Sequence, residues 1–372
     1  MLDLKRQYRA LHQELLEALG HVLETQQFIL GEHVAAFERA AAEQLGVAHA
    51  LGCSSGTDAL WLALAGAGVG PGDGVVTTPF SFFASVSAIL RAGATAVLAD
   101  IDPVSFNLSA AAVERVLDGN RGEGVKAILP VHLYGQFSFG LGRERGLTLI
   151  EDAAQAWGAE WQGVKAGGWG DAAAFSFYPT KNLSAAGDAG MVTTNREDVA
   201  ERVKMLRNQG MRRRYHHDEL GWNARMDGLQ GAVLTVKLKY IAGWNEARRA
   251  LAARYHALFA KAGLAESGPY PVRGVVLPQE AQGARHVWHQ YVIRAPRRDA
   301  LREFLTTRGI GSEIYYPVPL HMQEALKGLG YAEGDFPEAE RAAREVLALP
   351  MFPELREDEQ ETVVAAIAEF LS

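Results

Sequence analysis

Lys181 lies in the stretch Phe175-Ser176-Phe177-Tyr178-Pro179-Thr180-Lys181-Asn182, just past an apolar run, Ala172 to Phe177, that reads as a buried strand ending at Pro179. Desolvation among aromatic and small residues lowers an ammonium pKa, and a neutral amine is the form a Schiff base requires. Upstream, Leu147-Thr148-Leu149-Ile150-Glu151-Asp152-Ala153-Ala154-Gln155 is a second apolar strand that ends on a carboxylate. Either residue alone is weak evidence, because a strand-end lysine is most often a solvated surface charge. Together they form the pair a pyridoxal phosphate (PLP) site needs: an amine for the aldehyde, and a carboxylate that keeps the pyridine nitrogen protonated. Gln155, three residues after Asp152, is within reach of the ring hydroxyl.

Other stretches could complete such a site. Ser54-Ser55-Gly56-Thr57-Asp58-Ala59-Leu60 joins a strand to a helix, where small residues and free N–H groups make a phosphate cradle. Plain N-capping by Ser or Thr explains the same residues. Ser176 could add a hydroxyl to the phosphate, or only a local hydrogen bond. In Thr78-Pro79-Phe80-Ser81-Phe82-Phe83, a rigid turn offers aromatics at a strand end, with Phe80 and Phe83 expected in the core. The run Arg212-Arg213-Arg214-Tyr215-His216-His217 has two readings, a solvated loop or a site for a diphosphate-bearing substrate. Adjacent histidines also suggest a metal, but no carboxylate or cysteine has suitable spacing, so no metal is expected.

The elements that must position these groups follow from periodicity. Tyr8, Leu11, Leu15, Leu19 and Val22 predict an amphipathic N-terminal helix, and Val34, Phe37, Ala41 and Leu45 a second, stopped by Gly46. Seven strands are expected at Ala48–Gly52, Gly74–Thr78, Ala96–Ile101, Val125–Val131, Leu147–Glu151, Ala172–Phe177 and Gly190–Thr194. Helical stretches at Ala59–Ala67, Ser85–Ala92 and Ala110–Leu117 alternate with them, which predicts an α/β domain with a mainly parallel seven-stranded sheet. Ligands of such sheets gather at the carboxyl ends of the strands, where Asp152 and Lys181 both fall. The segment 163–170, rich in glycine and tryptophan, predicts a β-turn or hairpin that positions the strand after it, without chemistry. After Asn195 long helices dominate, including one from Asp227 to His256 with a break at Gly243, then a β-rich segment near 287–293 and a helix over 299–307. Residues 1–245 are expected to form the large domain, and 246–372 a smaller α+β domain.

At 372 residues with a net charge of −7, the chain can build a large core and is not suited to non-specific nucleic-acid binding. Its single cysteine, Cys53, excludes an internal disulfide and reads as a small buried residue. No apolar signal core and no run of about 18 apolar residues is present, which predicts a cytoplasmic protein. Repeats and low-complexity linkers are lacking.

Taken in order, these pieces resemble the DegT/StrS-type (DegT/DnrJ) sugar aminotransferases, PLP enzymes of the aspartate-aminotransferase-like fold type I. The resemblance runs from Leu2-Asp3-Leu4-Lys5-Arg6-Gln7-Tyr8 through the segments around Gly56, Asp152 and Lys181 to Gly221-Trp222-Asn223-Ala224-Arg225-Met226-Asp227. It continues at Tyr315-Tyr316-Pro317-Val318-Pro319-Leu320-His321, Gly334-Asp335-Phe336-Pro337 and Leu349-Pro350-Met351-Phe352-Pro353. It implies Lys181 as the lysine that binds the aldehyde and shuttles the proton, Asp152 on the pyridine nitrogen and Gln155 on the ring hydroxyl. Phe82 would cover a ring face, while Gly56, Thr57 and Ser176 would hold the phosphate. Asn223, by the same resemblance, reaches the phosphate of a neighbouring subunit's cofactor, implying a homodimer with shared active sites. Tyr215, His216, Arg225, Tyr316 and His321 are substrate-contact candidates. The implied reaction takes an amino group from L-glutamate to a keto sugar attached to a nucleotide, UDP or dTDP, in amino-sugar and polysaccharide biosynthesis. The basic run and Arg-Met-Asp after Asn223 lean towards a 3-keto rather than a 4-keto sugar. Dehydratases of the family carry histidine in place of the lysine, which this chain retains; aromatase chemistry and a non-catalytic regulatory role are the remaining alternatives.

Overall fold

The computed structural model describes residues 2–138 and 145–372. Helix α1 (Leu4–Thr25) buries Leu11, Leu15 and Val22, and α2 (Gly31–Leu45) buries Val34, Phe37, Ala41 and Leu45 before Gly46 ends it in the left-handed region. Tyr8, expected on the buried face of α1, is 48% exposed because its ring packs edge-on against His12 of the same helix rather than against the core.

The strand–helix alternation gives β1 (His49–Cys53), α3 (Gly56–Gly66), β2 (Gly74–Thr77), α4 (Ala84–Arg91), β3 (Thr95–Leu98), α5 (Ala110–Asp118), β4 (Val125–Leu129) and β5 (Thr148–Asp152). A hairpin of β6 (Glu160–Trp161) and β7 (Val164–Lys165) follows, then β8 (Ala172–Ser176), β9 (Gly190–Thr194) and α6 (Glu197–Leu206). All seven expected strands join one sheet in the order β1-β9-β8-β5-β4-β2-β3. β9 runs antiparallel to both β1 and β8, and the other neighbouring pairs are parallel. Six strands therefore point the same way, and the carboxyl ends of β1, β2, β5 and β8 open on one edge. Near-continuous apolar runs fit strands covered on both faces.

The chain continues with the hairpin β10 (Met211–Arg213) and β11 (His216–His217), then α7 (Gly228–Leu238) and α8 (Ile241–Lys261). The helix break falls at Lys239–Tyr240 rather than at the expected Gly243, where Lys239 Nζ lies 3.1 Å from Glu14 of α1 and the Tyr240 hydroxyl bonds the same carboxylate. Packing against α1, not glycine flexibility, sets the break. β12 (Ala284–Arg285) extends the β6–β7 hairpin, and β13 (Tyr291–Arg294) pairs with β14 (Val346–Leu349). Helices α9 (Arg298–Thr307), α10 (Pro337–Glu345) and α11 (Glu357–Leu371) flank that pair. The boundary expected at 245 falls within the first turns of α8, and Asn245 is itself buried. One apolar core runs from Ile150 and Val192 in the large sheet to Leu251, Tyr291 and Val346 beyond it. Among the described residues no helix is long and apolar enough to cross a membrane.

Candidate active site

A cavity of about 710 Å³ opens at the carboxyl edge of the sheet, between it and the segments around His289 and Tyr316. Lys181 enters it from the turn after β8. Behind that turn, Phe177 packs edge-on against Phe37 at 5.4 Å and lies 5.6 Å from Trp157, anchoring the exit of the strand. Asn182 donates to Asn245 Oδ1 at 2.9 Å and to the Val287 carbonyl at 3.0 Å, which fixes the backbone immediately after the lysine. Burial pulls the Lys181 pKa down to about 8, with Asp152 opposing the shift. At pH 7 about a tenth of the lysine is then the neutral amine, the nucleophilic form, far more than for a free lysine.

Asp152, the last residue of β5, is buried and faces the same cavity. Its Oδ2 accepts from Ser85 Oγ at 2.8 Å and its Oδ1 from the Ala154 N–H at 3.2 Å. Burial raises its pKa, while the Ser85 hydroxyl, the Ala154 N–H and the charge of Lys181 oppose the rise. A carboxylate in this balance gains from a cationic N–H partner in the cavity. Gln155 is held by both ends of its amide: Oε1 accepts from the Tyr134 N–H at 2.6 Å and Nε2 donates to the Tyr316 hydroxyl at 3.3 Å. Burial first, and then Asp152, raise the Tyr316 pKa, so its hydroxyl keeps its proton.

The third wall is the N-terminus of α3. Ser55 caps it by accepting from the Asp58 N–H at 3.1 Å, while Ser55, Gly56, Thr57 and Ser176 line the cavity. A Cβ on Gly56 would stand 2.5 Å from Ser176 Cβ, so only glycine lets the helix start approach β8 this closely. Both readings of this stretch hold at once, a capped helix and an N-terminus facing an open cavity. Phe82, 59% exposed, lines the mouth with its ring 6.3 Å from that of Tyr316. These residues fit PLP: an amine of lowered pKa for the aldehyde, a buried carboxylate for the pyridine nitrogen, an amide for the ring hydroxyl and a helix N-terminus with hydroxyls for the phosphate.

Several expected residues lie elsewhere. Tyr215, 76% exposed, and His216 sit on the β10–β11 hairpin, while Asn223 is exposed and Arg225 bonds Asn208; none of the four lines this chain's own cavity. His321 is not positioned for substrate, because it is buried 3.0 Å from Glu340 of α10 and packs edge-on against Phe336. Phe80 is buried as expected, but Phe83 is 37% exposed, because the chain turns into α4 there and its ring falls outside the sheet. Cys53 is fully buried, and burial pushes its thiol up to about 12. Among the described residues no cluster of three or more His, Cys, Asp or Glu could hold a metal. Two groups at the site escaped the sequence reading. Ser85 opens an expected helix yet meets Asp152 only through the fold, and His289, which lines the cavity, has no local signal at all.

Comparison with known proteins places the fold and the family. A protein of Geobacillus stearothermophilus called a pleiotropic regulatory protein is 48% identical, the match covering 100% of this chain and 98% of that one. A UDP-N-acetyl-3-dehydro-alpha-D-glucosamine 3-aminotransferase of Acidithiobacillus ferrooxidans is 40% identical, over 99% of this chain and 96% of the relative. The crystal structure of DesV from S. venezuelae with a ketimine intermediate superposes with a TM-score of 0.93 at 40% identity, covering 100% of this chain and 97% of that one. NtdA of Bacillus subtilis, solved with bound PMP, superposes at 0.85 with 29% identity, over 96% of this chain and 81% of that one. Residues 9–368 match the profile of the DegT/DnrJ/EryC1/StrS aminotransferase family, and the chain belongs to that family.

Proposed function

We propose that this PLP-dependent nucleotide-sugar aminotransferase takes its amino group from L-glutamate and delivers it to a 3-keto sugar linked to UDP or dTDP. The observation that carries the reading is the meeting of Lys181, Asp152 and the N-terminus of α3 on one cavity at the sheet edge. The 3-keto assignment is supported by the Acidithiobacillus relative, whose name places its amine at carbon 3.

When bound, PLP carries the amino group between donor and acceptor and draws electrons from the carbon that loses its proton. Lys181 would hold the aldehyde and, once released, take a proton from the substrate carbon and return it to the cofactor. Asp152 would keep the pyridine nitrogen protonated, Gln155 would hold the ring hydroxyl, and Phe82 would shield one face from water. Gly56, Thr57 and Ser176 would bind the phosphate, with Tyr316 facing the substrate. Asn223, Tyr215, His216 and Arg225 do not line their own cavity, which fits a homodimer in which each chain completes its partner's site. Asn223→Ala should then weaken cofactor retention, and mixing it with Lys181→Ala should restore activity in heterodimers carrying one intact site. No rescue after confirmed subunit exchange would count against sharing.

The test is an absorbance titration of the PLP-loaded protein. L-glutamate should bleach the band of the bound aldehyde form, and a 3-keto nucleotide sugar should restore it. Restoration only by 4-keto sugars would move the amination site to carbon 4. Lys181→Ala should abolish turnover while the fold persists. The regulatory name of the Geobacillus relative supports a second reading, a chain that holds the cofactor without turnover. A spectrum that no amino donor changes would favour that reading.

A further inference from the structure

His289 precedes β13, is buried, and lines the cavity together with Lys181. Its proton can be placed from a chain of hydrogen bonds. Asn245 donates through Nδ2 to the Trp157 carbonyl at 2.9 Å, so its Oδ1 is the atom that accepts from Asn182 Nδ2. Asn182 Nδ2 also donates to the Val287 carbonyl, which leaves Asn182 Oδ1, an acceptor only, 3.0 Å from His289 Nδ1. Nδ1 must therefore carry a hydrogen. A second proton on the ring is opposed by burial first, then by the charge of Lys181, by Arg248 and by His286. Arg248 is held close by, its Nη1 donating to the carbonyls of Trp288 and His289. The neutral ring thus has an unprotonated Nε2, and among the described residues no group bonds to it.

We infer that His289 is a positioning residue for Lys181: both line the same cavity, and the free Nε2 lone pair is the acceptor to which Lys181 Nζ can swing to donate, which holds the free amine toward the cavity. This rests on Lys181 being the reactive amine. Asn182 and Asn245 connect the two functions, since the same amide that sets the backbone after Lys181 sets the tautomer of His289. Rotation of the imidazole would break the Asn182 bond, so the acceptor is fixed in direction before any ligand arrives. The lysine, by contrast, ends in a flexible four-carbon stem that needs such a partner to hold one orientation.

Two measurements on the full chain, freed of cofactor, test the inference. Nitrogen NMR of histidine-labelled protein, with His289→Gln as the assignment control, should show His289 neutral and protonated at Nδ1. Protonation at Nε2 instead, or an imidazolium near neutral pH, would overturn it. The second measurement is the rate at which the chain captures added PLP, followed by absorbance against pH. Unaltered protein should show a midpoint near 8, set by Lys181. His289→Leu should slow capture about tenfold at high pH and move the midpoint down, because the ammonium loses an acceptor. His289→Gln, whose Oε1 can accept in the same place, should recover most of the rate. Equal losses in Leu and Gln, or an unchanged profile in Leu, would reduce His289 to packing and sink the idea. Should His289→Leu not fold, the glutamine variant and the tautomer of the unaltered chain still decide. A normal tautomer with no capture at all would instead refute the role given to Lys181.

Discussion

Replacing Lys181 with methionine in the cofactor-free protein should make the fold more stable at neutral pH, and the gain should vanish as pH rises. Methionine keeps most of the aliphatic stem and removes the ammonium, so packing changes little. The folded-state pKa of Lys181 is about 8, against 10.5 for a free lysine. Between those values the unfolded chain binds more protons than the folded one, so the stability of the lysine form rises with pH across that window. Below pH 8 the folded state bears the full cost of the buried charge, about 3 kcal/mol at most, because one pKa unit is worth about 1.4 kcal/mol. Lys181 is open to the cavity on one side, and water there reduces the figure to roughly 1–2 kcal/mol. Urea unfolding of both chains at one protein concentration, at pH 7 and near pH 10, reads the difference. A methionine variant no more stable at pH 7, or a gain equal at both pH values, would show that Lys181 carries no desolvation cost. The argument for its lowered pKa would then fail.

Glu151, next to Asp152, is buried and accepts from the N–H groups of Gly167, Trp169 and Gly170 and from His132 Nε2 at 2.8 Å. His132 Nδ1 accepts from the Ser138 N–H, so the ring cannot switch tautomer, and Glu151→Gln sets an amide donor against donors whichever way it turns. Unfolding in urea should register a loss of about 2–4 kcal/mol, and a neutral result would refute this account. Gly56→Ala should cost about 1–3 kcal/mol by overpacking against Ser176 and should also weaken PLP retention, measured by dialysis. Phe177→Ala should lower stability by about 3–5 kcal/mol in the same urea assay, since its fully buried ring backs the Lys181 turn. Cys53 should resist an aromatic disulfide reagent in the native chain and react only on unfolding, because both burial and a thiol pKa near 12 suppress the thiolate.

Why some of the site was readable and some was not follows from how far each interaction reaches. The seven strands were legible because each is a short apolar run bounded by turn residues, and a parallel sheet converts such runs into a common edge. That edge is what lets two weak signals, a strand-end aspartate and a strand-end lysine, be read as one site. Residues placed by distant partners gave no such signal. Ser85 reaches Asp152 across 67 positions of sequence, and His289 meets Asn182 across 107. His321 carried a motif's promise, but Glu340, on a helix whose packing the motif does not encode, captured it. The break after α7 was expected at a glycine because local flexibility is visible in sequence, whereas the contacts of Lys239 and Tyr240 with Glu14 are not. The same reasoning applies to Tyr215, His216 and Asn223. Their types announce polar recognition, yet a single chain leaves them exposed and outside the cavity lining, so whatever contact turns their chemistry into a site is not encoded in their local sequence.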